Sequence, residues 1–278
     1  MGISLVALRC RTADRFPGAP RGVEILAPLV GGALGVEPRF IGSPGEVRET
    51  RYDEDLTESR GCLLEAGGQV DDALSGGNTP VLLAADCAVA ATTLPAVVRH
   101  RPDARILWLD GHGDYNTPAT SGSGYLGGMC LSAATGEWDA GLGAESVRPD
   151  RVVLAGVRDL DPGERELLER SPVTVIGASP VETLVAAKNA LEGAPVFVHF
   201  DTDVIDPEHF PAAVPAPGGL HPDKLYDLFD SVLEDSELLG IEITNFDAPD
   251  DEEARAVATE TAMHVLEPVL DHLAGRTE

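Results

Sequence analysis

Basic side chains are scarce in this sequence: 20 Lys and Arg stand against 47 Asp and Glu, for a formal net charge of −27. A chain this acidic repels phosphate backbones and anionic bilayers, which argues against nucleic-acid and membrane-surface partners. The excess could steer a cationic substrate, but a solvated acidic surface that keeps the chain soluble is the favoured account. Cysteine is also sparse. Its four residues, Cys10, Cys62, Cys87 and Cys130, show no paired spacing. The opening MGISLVALRCRTADRF lacks a charged head followed by a long apolar middle, so a reduced, cytoplasmic protein is expected. No apolar run is long enough to span a bilayer, because the longest tract, 81–98, is broken by Asp86 and Pro95. Repeats, low-complexity segments and linker-like stretches are missing too. One domain over residues 1–278 is the expectation.

What is present is a regular alternation. Short β-rich runs occur at 4–8, 80–85, 105–109, 151–157, 173–177, 195–200 and 238–243. Most are apolar at both parities, as strands covered on both faces require. Helix-like stretches lie between them at 56–74, 162–170, 180–192, 222–235 and 252–273, two of them opened by Pro162 and Pro222. Strands alternating with helices predict an α/β fold, a three-layer αβα sandwich around a mainly parallel sheet. Ligands in such folds bind beyond the carboxyl ends of the strands.

Those ends are loaded with acid. Asp86 and Cys87 follow the second run; Asp110, His112 and Asp114 the third; Asp159, Asp161 and Glu164 the fourth; Asp201, Asp203 and Asp206 the sixth. The last run contains Glu242 and leads to Asp247. Clustered carboxylates repel one another and need a counter-charge, which a divalent metal supplies. If the D-x-H-x-D and D-x-D segments are extended, alternate side chains share a face and converge. Oxygen-rich ligands with one imidazole suit Mn²⁺ better than Zn²⁺, and shared carboxylates could bridge two ions that acidify the solvent between them. Either motif alone is weak, since D-x-D also occurs in turns and N-caps. Their order at successive strand ends is the stronger signal.

On these motifs the chain resembles the ureohydrolase family, the arginases and agmatinases. The family hallmarks are a G-G-D-H strand end, D-A-H-x-D and S-x-D-x-D-x-x-D-P; here the corresponding stretches are AADCA, DGHGDYN and FDTDVIDP. The resemblance runs from PGAPRGVE to GIEITNFD. It implies Asp110, His112, Asp114, Asp201 and Asp203 as ligands of two Mn²⁺ ions, with Asp110 and Asp201 bridging. It implies Glu242 as an acid beside the guanidinium, Asp114 as proton acceptor, and Asn116, Ser123, Asp161 and Glu164 as contacts of an α-amino acid substrate. A homo-oligomer is a possibility the resemblance raises.

Several positions depart from the family pattern. Cys87 stands where a histidine ligand is usual, and its reading stays open between a ligand and a buried small hydrophobe. As a ligand, its soft sulfur predicts weaker manganese binding or easier replacement by zinc. In SGYLGGM, Tyr125 replaces an asparagine and Gly127 replaces a histidine proposed to shuttle protons. PAAVPAPGGL has lost the threonine of the family's P-A-T-G-T-P. A site without the shuttle suits a guanidine of lower basicity. These changes resemble the hydroxyarginine-hydrolysing branch of the family, which acts in antibiotic biosynthesis, and imply Nω-hydroxy-L-arginine as substrate with L-ornithine and hydroxyurea as products. The competing readings are an arginase or other amidine hydrolase, a metal-binding protein with lost catalysis, and a zinc deacetylase of related fold, the last disfavoured by the second carboxylate-rich segment. His199 shares the parity of Asp201, and a satisfied core histidine is favoured over a residue supporting the ligands. His209 and His221 fall in loops near the site, while His100, His264 and His272 suit surface or helix packing.

Overall fold

All seven apolar runs become strands, because β-branched and apolar residues at both parities leave no solvent-facing side except at a sheet edge. The computed structural model describes residues 2–143, 145–179 and 182–275. In chain order the elements are β1 (Ile3–Leu8), α1 (Gly18–Leu34), β2 (Arg39–Ile41), α2 (Tyr52–Glu58), α3 (Arg60–Ser75), β3 (Thr79–Leu83), α4 (Ala90–His100), β4 (Arg105–Leu109) and α5 (Cys130–Thr135). There follow β5 (Val152–Val157), α6 (Pro162–Arg170), β6 (Thr174–Gly177), α7 (Glu182–Leu191), β7 (Val196–Asp201), α8 (Pro222–Leu233), β8 (Leu238–Thr244) and α9 (Glu252–Gly275). The helix expected over 180–192 is described from Glu182; positions 180 and 181 lie outside the described residues.

The eight strands form one sheet in the order β2-β1-β3-β8-β7-β4-β5-β6, and every pairing is parallel. Helices cover both faces. One core layer joins α1, α7, α8 and α9 to the sheet through Val23, Ala187, Phe229 and Val265; the other joins α3, α4, α5 and α6 through Leu63, Leu94, Leu131 and Leu168. Central strands are buried on both faces, whereas the edge strands β2 and β6 are mostly exposed.

Four differences from the sequence expectations have local causes. The helix expected over 56–74 is two helices, α2 and α3, meeting at Ser59. Helices α1 and α4 carry Pro28 and Pro95 inside apolar stretches, which hid their period. Strand β2 has only three residues and pairs solely with β1. The reading of four unpaired, reduced cysteines is corrected as well: Cys10, after β1, is disulfide-bonded to Cys62 on α3, while Cys87 and Cys130 are free and buried. A separation of 52 residues concealed that pairing. Among the described residues no helix is long and apolar enough to cross a membrane.

The strand order fixes where a site can form. The chain builds β1 to β3 on one side, jumps to β4, and later fills the gap with β7 and β8. Such a jump opens a crevice beyond the carboxyl ends of the flanking strands. The loops leaving β3, β8, β7, β4 and β5, five neighbours in the sheet, meet there.

Candidate metal centre and substrate pocket

The acidic motifs leave their strands by one repeated device. The carboxylate of Asp86 accepts from the backbone N–H of Ala88 (2.8 Å), Asp110 from His112 (2.6 Å) and Asp201 from Asp203 (2.8 Å). An aspartate bonding the amide two residues on turns the chain out of its strand. This corrects the expectation of extended segments with ligands on one pleat face. Residues 110–114 form a bent loop, Asp114 has φ 47°, and Thr202–Val204 is a short 3₁₀ turn. The i, i+2 spacing therefore reflects a turn motif as much as a β period.

A cavity of about 200 Å³ lies at this crevice. Cys87, His112, Asp114, Asn116, Ser123, Asp161, Glu164, Asp201 and Asp203 line it, together with Tyr125, Gly127 and Asp159, which the sequence sets in the same motifs, and Val214 and Asn245, which it does not single out. Asp110 sits directly behind the wall with no exposure. Asp114, Val214 and Asn245 all have positive φ (47°, 50° and 65°), and the only other such non-glycine residue among those described is Glu192. Left-handed backbone at a β-branched valine is uncommon, and its concentration around one cavity marks a built site.

The electrostatics need a cation. Burial, then the charges of Asp110 and Asp201, holds the Asp114 carboxyl well above its ordinary range. Burial and Asp203 do the same to Asp201, and burial with Asp110 lifts Asp203 to about 6. Burial also acts against a charge on His112, but Asp203 and Asp110 outweigh it and push the imidazole to about 12. His112 lies 2.9 Å from Asp203 and 3.4 Å from Asp110 through Nδ1. Asp110 alone is lowered: burial opposes its charge, and His112 overcomes that. In a metal-free chain His112 is thus the local counter-ion, a poor match for four buried carboxylates.

Among the described residues two groups of donors lie close enough to hold an ion: Asp110, His112 and Asp203, and Cys87, Asp110 and His199. Asp110 belongs to both. Asp114 and Asp201 border the same cavity, and Cys87 Sγ is 2.8 Å from Asp201. The donor set, mainly oxygen with imidazole and one sulfur, fits divalent cations. Burial and the charge of Asp201 raise the Cys87 thiol well above its ordinary value.

His199 joins the site through strand register. Trp108, His199 and Glu242 are paired neighbours on β4, β7 and β8. The Trp108 indole stacks on His199 with ring centroids 3.6 Å apart, and its Nε1 donates to Asp110 at 2.9 Å. Glu242 reaches His199 Nδ1 at 2.7 Å and accepts from Thr93 at 2.6 Å, leaving His199 Nε2 3.1 Å from Cys87 Sγ. Glu242, expected beside a guanidinium, is fully buried and is not among the residues that line the cavity. Its side chain projects from the strand toward α4, three residues short of the loop that turns into the cavity. Asn245 occupies that wall. Its Nδ2 donates to Asp201 and, at 3.2 Å, to Cys87, while its buried Oδ1 has no partner.

The far wall is built by the start of α6. Glu164 accepts from the N–H groups of Tyr115 (2.8 Å) and Asp161 (3.3 Å), so it caps the helix and borders the cavity at once. Burial lifts its carboxyl to about 7. Asn116 donates to Asp161 at 3.1 Å, and Ser123 accepts from Tyr125 N–H at 3.2 Å. Arg158 donates to the carbonyls of Gly156 and Ala216 and to that of Asp203, tying the Asp201–Asp203 turn to β5.

A parallel sheet with a cluster of buried carboxylates at its switch point defines a class, and comparison with known proteins agrees. The Arginase family model matches residues 46–270. The chain is 36% identical to an N(omega)-hydroxy-L-arginine amidinohydrolase of Streptomyces lavendulae, over 99% of both chains. It is 31% identical to an arginase of Brevibacillus brevis over 76% of each. The crystal structure of arginase from Bacillus subtilis superposes with a TM-score of 0.83 at 21% identity, covering 97% of this chain and 98% of that one. The chain belongs to the arginase family, and with it to the hydrolases that act on guanidino and amidino groups.

Proposed function

We propose that the protein is a dimanganese hydrolase of an α-amino acid with a guanidine-like tail, converting Nω-hydroxy-L-arginine to L-ornithine and hydroxyurea. The observation that carries this reading is the make-up of one cavity. A carboxylate cluster suited to divalent cations lies at one side, and the Asn116–Asp161–Glu164 wall, suited to an α-amino and α-carboxylate group, lies at the other. The full-length similarity to a named hydroxyarginine amidinohydrolase supports the choice of tail.

Asp110, His112, Asp114, Asp201 and Asp203 would hold the cations, with Cys87 and His199 beside them. When bound, the cations supply Lewis acidity and acidify water next to the guanidine carbon. The chain supplies the rest. Asp161 and Glu164 bind the ammonium end of the substrate, and Asn116 and Ser123 its carboxylate. Asn245, with an unpaired Oδ1, accepts from a guanidine N–H in the place first assigned to Glu242. Asp114 accepts the proton released as water adds to that carbon, and the ornithine nitrogen takes a proton from solvent as its bond to the carbon breaks. Glu242 positions rather than contacts: it fixes the His199 ring, which faces Cys87.

Arginine is the poorer substrate on this reading. Gly127 offers no proton-transferring side chain, which tells most against a strongly basic guanidinium, and the loop that carries Val214 into the cavity has lost the threonine usual in the family. Supplying manganese and assaying hydroxyurea from Nω-hydroxy-L-arginine against urea from arginine tests this. A higher kcat/KM on the hydroxylated substrate is expected; a clear preference for arginine rejects it.

A further inference from the structure

Tyr125 and Gly127 are two residues apart in the loop before α5, and they occupy one volume. A Cβ built on Gly127 would lie 2.8 Å from Cζ, 2.9 Å from Cε1 and 3.0 Å from the hydroxyl of Tyr125. Real Cβ atoms do not approach ring atoms so closely. Gly127 is not among the residues with left-handed φ, so its backbone would accept any side chain. The phenol supplies the three nearest atoms that stand in its way.

The ring cannot simply swing aside. Its hydroxyl donates to Asp86, which is fully buried and is itself fixed by the Ala88 N–H. The Arg15 guanidinium lies over the ring face, 4.4 Å from the centroid. Its flank faces the cavity, beside Cys87, Asp114 and Asn245. The side chain is therefore a pinned wall whose proton is committed to Asp86.

We propose that Tyr125 is a specificity-determining residue that requires glycine at position 127: the two form a single device in which a fixed phenol wall replaces any proton-transferring side chain at 127. The discrimination part rests on the function proposed above; the steric coupling does not. With that wall in place the ornithine nitrogen takes its proton from solvent whichever substrate is bound, and the less basic hydroxyguanidine, which loses its charge more readily and is easier to attack, is accepted in preference to a guanidinium.

The test is a double-mutant cycle on the manganese-loaded protein, with Y125A, G127A, Y125A/G127A and, as a control that keeps the ring, Y125F. G127A alone is expected to lower Tm by several degrees and kcat/KM on Nω-hydroxy-L-arginine by ~10-fold, as overpacking a fixed site does. In the Y125A background the same change should alter neither quantity. Y125A should also shrink the ratio of kcat/KM between the hydroxylated substrate and arginine by ~10-fold, while Y125F keeps that ratio. An equal G127A penalty in both backgrounds, or none in the parent protein, overturns the coupling. An unchanged substrate ratio in Y125A overturns the specificity role. Should every protein be inert on both substrates, the functional reading falls, and the Tm cycle still decides whether the ring and position 127 are coupled.

Discussion

Glu242 provides a sharp test of what the fold adds to the motif reading. It is buried with no exposure and serves two partners, Thr93 Oγ1 at 2.6 Å and His199 Nδ1 at 2.7 Å. In E242A both partners lose their bond inside the core. Each unsatisfied buried group costs about 1–3 kcal/mol, and with the cavity left behind the total is about 3–5 kcal/mol. For a chain of this size Tm should fall by roughly 6–12 °C. E242Q keeps the shape: its amide oxygen still accepts from His199, its NH₂ donates to Thr93, and the cost should be about 1 kcal/mol. Thermal unfolding and hydroxyurea release separate the roles. The positioning account expects E242Q to stay within ~3-fold of the parent kcat/KM, whereas a carboxylate touching the guanidinium would be worth ~100-fold. A fully stable E242Q protein with activity down by that larger factor would refute the account and restore Glu242 to the substrate.

Other outcomes follow from the same geometry. C87H should bind manganese at least ~10-fold more tightly in a titration, because imidazole suits that ion better than sulfur; no gain would show that Cys87 lies outside the coordination sphere. The metal-free chain should lose stability as pH rises. Glu164 and Asp203 have folded values of about 7 and about 6, above their unfolded ones, so the folded state holds the extra protons and its advantage disappears between about pH 4 and 7. His112, raised to about 12, adds stability that is complete below its unfolded value and is lost as pH climbs toward 12. Urea midpoints across pH, with and without manganese, check this; a metal-free midpoint that rises with pH contradicts it. Thiol titration of the protein denatured without reductant should find the two free thiols of Cys87 and Cys130, and four only after reduction; four from the outset contradicts the Cys10–Cys62 bond.

Much of this was legible because strand ends and the acidic motifs that follow them are short-range patterns. The apolar runs gave every central strand, and Asp110, His112, Asp114, Asp201 and Asp203 follow them directly. What escaped depends on packing between distant segments. Cys10 and Cys62 meet only because α3 lies against the loop after β1. His199 reads as core in its own strand, and only the register with Trp108 and Glu242 brings it to Cys87. Glu242 and Asn245 lie three residues apart on one strand end, and which of them turns into the cavity depends on a positive φ at Asn245 that no periodicity announces. Helices α1 and α4 were hidden by their own prolines, whose cost the surrounding core outweighs.

The central claim is that the buried carboxylates at the sheet's carboxyl edge are tolerated because divalent cations hold them together. Metal analysis of the purified protein, paired with hydroxyurea assays before and after chelation, tests it most directly. The account predicts two manganese ions per chain after loading, loss of turnover when they are stripped, and recovery when manganese is returned. Protein that keeps its full rate after every divalent ion has been removed would contradict it.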